Sequence, residues 1–107
     1  MKHYFPLVSF ANGQVLAARG DGEAALQAYT QTEALAREMQ MRPLVWQAQA
    51  GAAHVLSALD RMAAAEIQRE AAAATIDEIA GLFRDAQLQA LFRRSALRKL
   101  PETHASR

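Results

Sequence analysis

Apolar positions in this chain recur every three or four residues and are cut into blocks by glycine, aspartate and proline, which reads as helix from end to end. No stretch sustains the two-residue alternation of a strand. Pro6 suits the first turn of a helix, where its missing N–H has no intrahelical partner to lose. The pattern predicts a first helix over 6–19, closed by Gly20-Asp21-Gly22, which offers a C-terminal glycine and an aspartate able to cap the next start. Ala25, Tyr29, Thr32, Leu35, Ala36 and Met39 form one stripe of a second helix over 22–40. Arg42-Pro43 ends it, because the residue before a proline is pushed out of the α region. A third helix follows over 43–59. Asp60 is expected to cap a fourth, running to 82 through Ile67, Ile76 and Ile79. Asp85 is expected to cap a fifth, with Leu88, Leu91, Phe92, Leu97 and Leu100 as its apolar face. Pro101 stops that helix at 100, and 101–107 are expected as a flexible tail.

Sliding the chain against itself by forty residues lays Val15-Leu16 over Val55-Leu56 and the turn Gly20-Asp21 over Asp60-Arg61. The coincident turns carry more weight than the matching alanines, which an alanine-rich chain produces by accident. Two helix pairs in series, 6–40 and 43–82, followed by a capping helix over 85–100, are therefore expected within a single domain spanning 1–107. Neither pair can bury its apolar face alone.

Gly13, Gly20, Ala25 and Tyr29 in the first pair, and Ala53, Asp60 and Ala65 in the second, resemble the small, turn and aromatic positions of a tetratricopeptide repeat. Ser9 and Gln49 stand where that family often has tryptophan, Asn12 and Ala52 replace its usual leucine, and Arg69 replaces its second aromatic. The unit is also longer than the usual repeat of about thirty-four residues. The resemblance implies an all-α chain of antiparallel helical hairpins in a short right-handed solenoid with a C-terminal capping helix. It also implies a protein or peptide partner in the concave groove made by the first helix of each pair. That groove would present Leu7, Phe10, Gln14 and Ala17, then Gln47, Ala50, His54 and Ser57. The second half is similar, more loosely, to the closing repeat and terminal helix of helical-repeat regions in large bacterial regulators, such as multidomain nucleotide cyclases and transcriptional activators.

Composition narrows the function. Hydrophobic residues make up 51% and aromatics only 7%, too apolar for disorder and too rich in alanine for a sheet protein. No cysteine is present, so neither a disulfide framework nor a thiolate metal site exists. The apolar run near Tyr4 and Phe5 is short and broken by Pro6, which predicts no signal peptide and no membrane span, and a cytoplasmic protein. His3, His54 and His104 fall in different segments, and His54 has no carboxylate or histidine one turn away, so no metal site is expected. Asp77 and Glu78 are adjacent and point apart on a helix, while Asp21 and Glu23 suit the helix start. Gly20-Asp21-Gly22 lacks the lysine and the preceding strand of a phosphate loop. No catalytic residues and no cofactor are expected.

Two features remain open on sequence alone. Residues 1–83 carry six basic against nine acidic side chains, and 84–107 six against two. A nucleic-acid contact through the basic terminal helix is the rival reading, yet Arg93, Arg94 and Arg98 near a helix C-terminus are also favoured by its dipole, and no aromatics interleave with them. Trp46 could seal the junction between pairs or anchor a partner, and Ala71-Ala72-Ala73-Ala74 could be core or interface. At the other end, Tyr4, Phe5, Leu7, Val8 and Phe10 predict self-association as a two-fold homodimer of first helices, since leaving such side chains wet is costly. The competing expectation has Met1 to Phe10 folding back over its own hairpin.

Overall fold

The computed structural model describes residues 5–101. It contains α1 (Phe5–Ala18), α2 (Gly22–Glu38), α3 (Arg42–Ala58), α4 (Met62–Ala80) and α5 (Ala86–Leu97). All five elements are helices, and no strand occurs among the described residues. Each element lies where the apolar period and its punctuation predict one, with Pro43 in the first turn of α3.

The first three helix junctions close in one way. Gly20, Gln40 and Asp60 take left-handed φ angles of 84°, 59° and 65°. The next residue's N–H then reaches back five positions: Asp21 to the Leu16 carbonyl (2.9 Å), Met41 to Ala36 (2.7 Å) and Arg61 to Leu56 (2.9 Å). This is the Schellman closure, which satisfies carbonyls that a helix end would otherwise orphan. The turns thus recur every twenty residues, a finer period than the forty-residue self-match. Asp60 consequently terminates α3 rather than capping α4. The start of α4 follows Arg61 and has no side-chain cap. Asp21 and Asp85 do cap, Asp21 accepting from the Ala24 N–H and Asp85 from those of Gln87 and Leu88.

Successive helices pack on one another, α1 also touches α3, and α5 touches α4 only sparsely. With turns this short, neighbours run antiparallel. One apolar cluster joins Tyr29 and Ala25 of α2 to Ala52 and Val55 of α3, with Phe10, Leu16 and Ala17 of α1 against it. The Tyr29 ring is wedged between two glycines. A Cβ on Gly13 would fall 2.9 Å from it and a Cβ on Gly51 2.6 Å. Only bare backbone on both α1 and α3 lets an aromatic ring stand there.

The second large cluster answers the question about Trp46. It is 5% exposed and packs with Ala50, Ala72, Ile76, Ile79 and Ala96, with Phe92 and Leu100 closing the edge. It is core at the junction of α3, α4 and α5. Within the alanine run, Ala72 is fully buried there, Ala71 and Ala73 are half-buried and Ala74 is exposed.

Two expectations about apolar faces need correction. Ile67 lies on the outer side of α4 and is 67% exposed, whereas Ile76 and Ile79 are buried. α5 ends at Leu97, and on it only Ala96 is fully buried and Phe92 partly so, while Leu88, Leu91 and Leu97 are exposed; Leu100, expected on the same helix, lies beyond its end and is partly buried. The α5 surface that meets Trp46 is the one carrying Ala96, whose small side chain permits close approach. No described helix covers the flank bearing Leu88 and Leu91.

A buried polar bridge ties the middle helices. Gln49, 2% exposed, donates from Nε2 to Glu33 Oε2 (3.2 Å), and its Oε1 accepts from the Thr75 hydroxyl (3.0 Å). α2, α3 and α4 are thereby cross-linked through one side chain at a position where the resembled family often has tryptophan. A buried amide is tolerable only when so satisfied.

Candidate functional site

α1 and α3 lie side by side, and their shared face, with Tyr29 of α2 beneath, forms a concavity of about 340 Å³. Phe10, Gln14 and Ala17 line it from α1, and Trp46, Gln47, Ala50, Gly51, His54 and Val55 from α3. Lys99, just beyond α5, closes the remaining side. A second hollow of about 440 Å³ shares Ala17, His54 and Val55 and extends past Gly20, Gly22, Ala58 and Leu59. The two form one trough along the α1–α3 seam.

Aromatic and small residues shape its floor. Phe10 and Tyr29 meet as a tilted pair with centroids 5.8 Å apart, and the adjoining Ala50 and Gly51 leave backbone near the surface. Burial pushes the Tyr29 phenol above its ordinary value of 10.0. Gln47 donates through Nε2 to the Pro43 carbonyl at 3.0 Å, which leaves its carboxamide oxygen available.

The end of α5 is fastened to this wall twice. His54 Nε2 donates to the Lys99 carbonyl at 2.8 Å. A carbonyl only accepts, so the contact fixes the hydrogen on Nε2. The Lys99 ammonium lies 5.9 Å from the centre of the Trp46 ring, within cation–π range. Among the residues lining both hollows, Lys99 carries the one permanent charge.

Six of the eight side chains nominated for a groove therefore line the first hollow: Phe10, Gln14, Ala17, Gln47, Ala50 and His54. Leu7 sits on the outer side of α1 and is 54% exposed, and Ser57 is half-buried and outside the lining. Tyr29, Trp46, Gly51, Val55 and Lys99 line it without having been nominated. Lys99 had no local signal, because the chain reaches α3 only after the whole of α4 and α5.

Other titratable groups do not converge. His3 and His104 lie outside the described residues, and no group of three or more metal-ligating side chains gathers among the described ones. Asp77 accepts from Arg93 at 2.9 Å, and Glu23 pairs with Arg61. Arg84, Arg94 and Arg98 are exposed around α5. No helix among the described residues is long and apolar enough to cross a membrane.

No protein-family model matches the chain, and no curated protein and no solved structure matches it. What the fold defines is a class: an all-helical chain, among its described residues, whose first and third helices share an open face.

Proposed function

We propose that the chain is a non-enzymatic protein-interaction module, cytoplasmic and tetratricopeptide-like, that holds an extended segment of a partner in the trough between α1 and α3. The observation that carries this reading is the convergence of side chains forty residues apart, Phe10 with Ala50 and Gln14 with His54, on one hollow. An extended segment exposes its own N–H and C=O groups. The carboxamides of Gln14 and Gln47 match such groups as paired donor and acceptor. Phe10, Tyr29 and Val55 offer an apolar seat for a side chain, and Lys99 favours a segment bearing a carboxylate over one bearing a cation. The resemblance of the second half to repeat regions of bacterial regulators fits a binding role of this kind.

Selection of displayed random peptides on the chain tests the reading. Recovered peptides are expected to combine an apolar residue with Asp or Glu. Gln14→Ala with His54→Ala should weaken them at least about tenfold, equivalent to about 1.4 kcal/mol. Lys99→Glu should reverse the charge preference. Peptides that bind the double variant as tightly as the parent would refute the trough as the site.

A further inference from the structure

Tyr29 carries a polar atom that the fold itself does not use. Its side chain is 5% exposed, and its ring is held on both sides, by Gly13 of α1 and Gly51 of α3. The phenol hydroxyl nevertheless has no hydrogen-bond partner among the described residues. Phenylalanine would fill the same space without that group, and burying a hydroxyl that makes no hydrogen bond costs stability. Other polar side chains buried as deeply are satisfied: the Thr32 hydroxyl donates to the Ala28 carbonyl at 2.8 Å, and that of Thr75 to Gln49 at 3.0 Å.

The direction of the Tyr29 hydroxyl follows from its surroundings. Of the ring atoms, Cζ, which bears the oxygen, comes nearest to where a Gly51 Cβ would stand, at 2.6 Å. The hydroxyl therefore emerges beside Gly51, and both residues line the hollow of about 340 Å³ between α1 and α3. Among the described residues no sealed side-chain oxygen or nitrogen lacks a partner, so the unbonded hydroxyl reaches open space. The hollow is the open space that Tyr29 lines.

An O–H at that point calls for an acceptor. Burial raises the Tyr29 phenol above its ordinary 10.0, so at neutral pH it is protonated and donates. No aspartate or glutamate lines either hollow, and Lys99 supplies a positive field. An ionised acceptor makes a stronger bond than a neutral one. The surrounding wall, Phe10, Ala50 and Val55, is apolar, so the acceptor has to arrive on an apolar stem. Phe10, nominated on sequence for self-association as well, faces this hollow. Of the other side chains in that expectation, Leu7 and Val8 are exposed, and Tyr4 and the Phe5 side chain lie outside the described residues.

We infer, resting on the reading of the trough as a segment-binding site, that the hollow takes one glutamate side chain of the bound segment. Its methylenes pack against Phe10, Ala50 and Val55, and its carboxylate accepts a hydrogen bond from the Tyr29 hydroxyl. A single residue thereby supplies both the apolar and the acidic feature that the trough selects. Glutamine in its place keeps an acceptor for the hydroxyl and gives up the attraction to Lys99, whereas alanine gives up both.

Calorimetric titration tests the contact with synthetic copies of peptides selected on the parent from a displayed random library, the glutamate being kept or changed to glutamine or alanine. Tyr29→Phe should weaken the glutamate peptide at least about tenfold and leave the alanine peptide unchanged, the coupling expected of direct contact. The glutamine peptide should bind with intermediate affinity and remain sensitive to Tyr29→Phe. Without peptide, Tyr29→Phe should unfold in urea at the same or a higher midpoint than the parent, because it loses no bond within the fold. A lower midpoint would mean that the hydroxyl is already engaged there and overturns the proposal. A selection in which no glutamate recurs overturns it as well. Equal binding of the glutamate peptide by parent and Tyr29→Phe, while Gln14→Ala with His54→Ala loses it, overturns the hydroxyl contact and leaves the trough standing. Peptides that bind that double variant as tightly as the parent overturn both.

Discussion

Gly51→Ala is the sharpest test of how this core is built, because two effects of opposite sign compete at that position. Gly51 lies inside α3, where alanine would ordinarily be worth about 1 kcal/mol more than glycine. Here, however, the added Cβ would fall 2.6, 2.7 and 2.9 Å from the Cζ, Cε1 and Cε2 atoms of Tyr29. The ring has nowhere to go. Behind it, a Cβ on Gly13 would already be at 2.9 Å, and the tilted Phe10 ring lies beside it with centroids 5.8 Å apart. Overpacking a core costs roughly 1–3 kcal/mol, and a rigid ring held on both sides belongs at the upper end. After the propensity gain, the expected net loss is about 1–2 kcal/mol. At about 4–8 °C per kcal/mol for a domain of this size, the midpoint should fall by about 4–16 °C. Urea unfolding followed by circular dichroism and by the fluorescence of Trp46, the sole tryptophan, measures it. In a Tyr29→Leu background the clash is gone, and Gly51→Ala should stabilise by up to about 1 kcal/mol. The resulting coupling of about 2–3 kcal/mol is the signature of direct contact. A Gly51→Ala chain as stable as the parent while Tyr29 is present would refute the wedge.

The three repeated turns give a second expectation. A left-handed residue other than glycine carries roughly 1–2 kcal/mol of strain, partly offset by the extra chain entropy that glycine loses on folding. Gln40→Gly and Asp60→Gly should therefore each stabilise by about 0.5–1 kcal/mol, and Gly20→Ala should destabilise by about 1 kcal/mol, all by urea titration; a stabilising Gly20→Ala would contradict the turn geometry. The third concerns alkaline pH. Burial raises the Tyr29 phenol above 10.0, so between the unfolded and folded values the unfolded chain ionises first and gains stability relative to the native one. Stability is fully present below about pH 10 and is lost as the pH rises through the folded value, and Tyr29→Phe should flatten that loss. An unchanged alkaline profile in Tyr29→Phe would assign the loss to another group.

How much of this could be read from the chain depends on whether a feature is local. Helix starts and stops were legible because caps, prolines and left-handed turns act within a few residues. Asp85 and Asp21 cap as their positions foretell. Asp60 misled for an instructive reason: aspartate is both a good cap and a tolerated left-handed residue, and only the reach of the Arg61 N–H to the Leu56 carbonyl distinguishes the two roles. The faces of α4 and α5 were harder. An apolar stripe says that a surface can be buried, and it is the neighbour that decides whether it is; Ile67, Leu88 and Leu91 stay exposed, while Ala96 meets Trp46. Lys99 was beyond local reading altogether, because its place beside His54 and Trp46 depends on the path of two intervening helices. Gln49 shows the converse. It stands out on sequence only as a departure from the resembled repeat, and the structure shows Glu33 and Thr75 supplying both of its partners. α1 extends the same logic outward. Its composition could be seen at once, but the meaning of an uncharged helix emerges only when Phe10, Gly13 and Leu16 are known to face in. Val8, Ala11, Val15 and Ala18 are then left facing out, on a stripe that nothing within the described chain occupies.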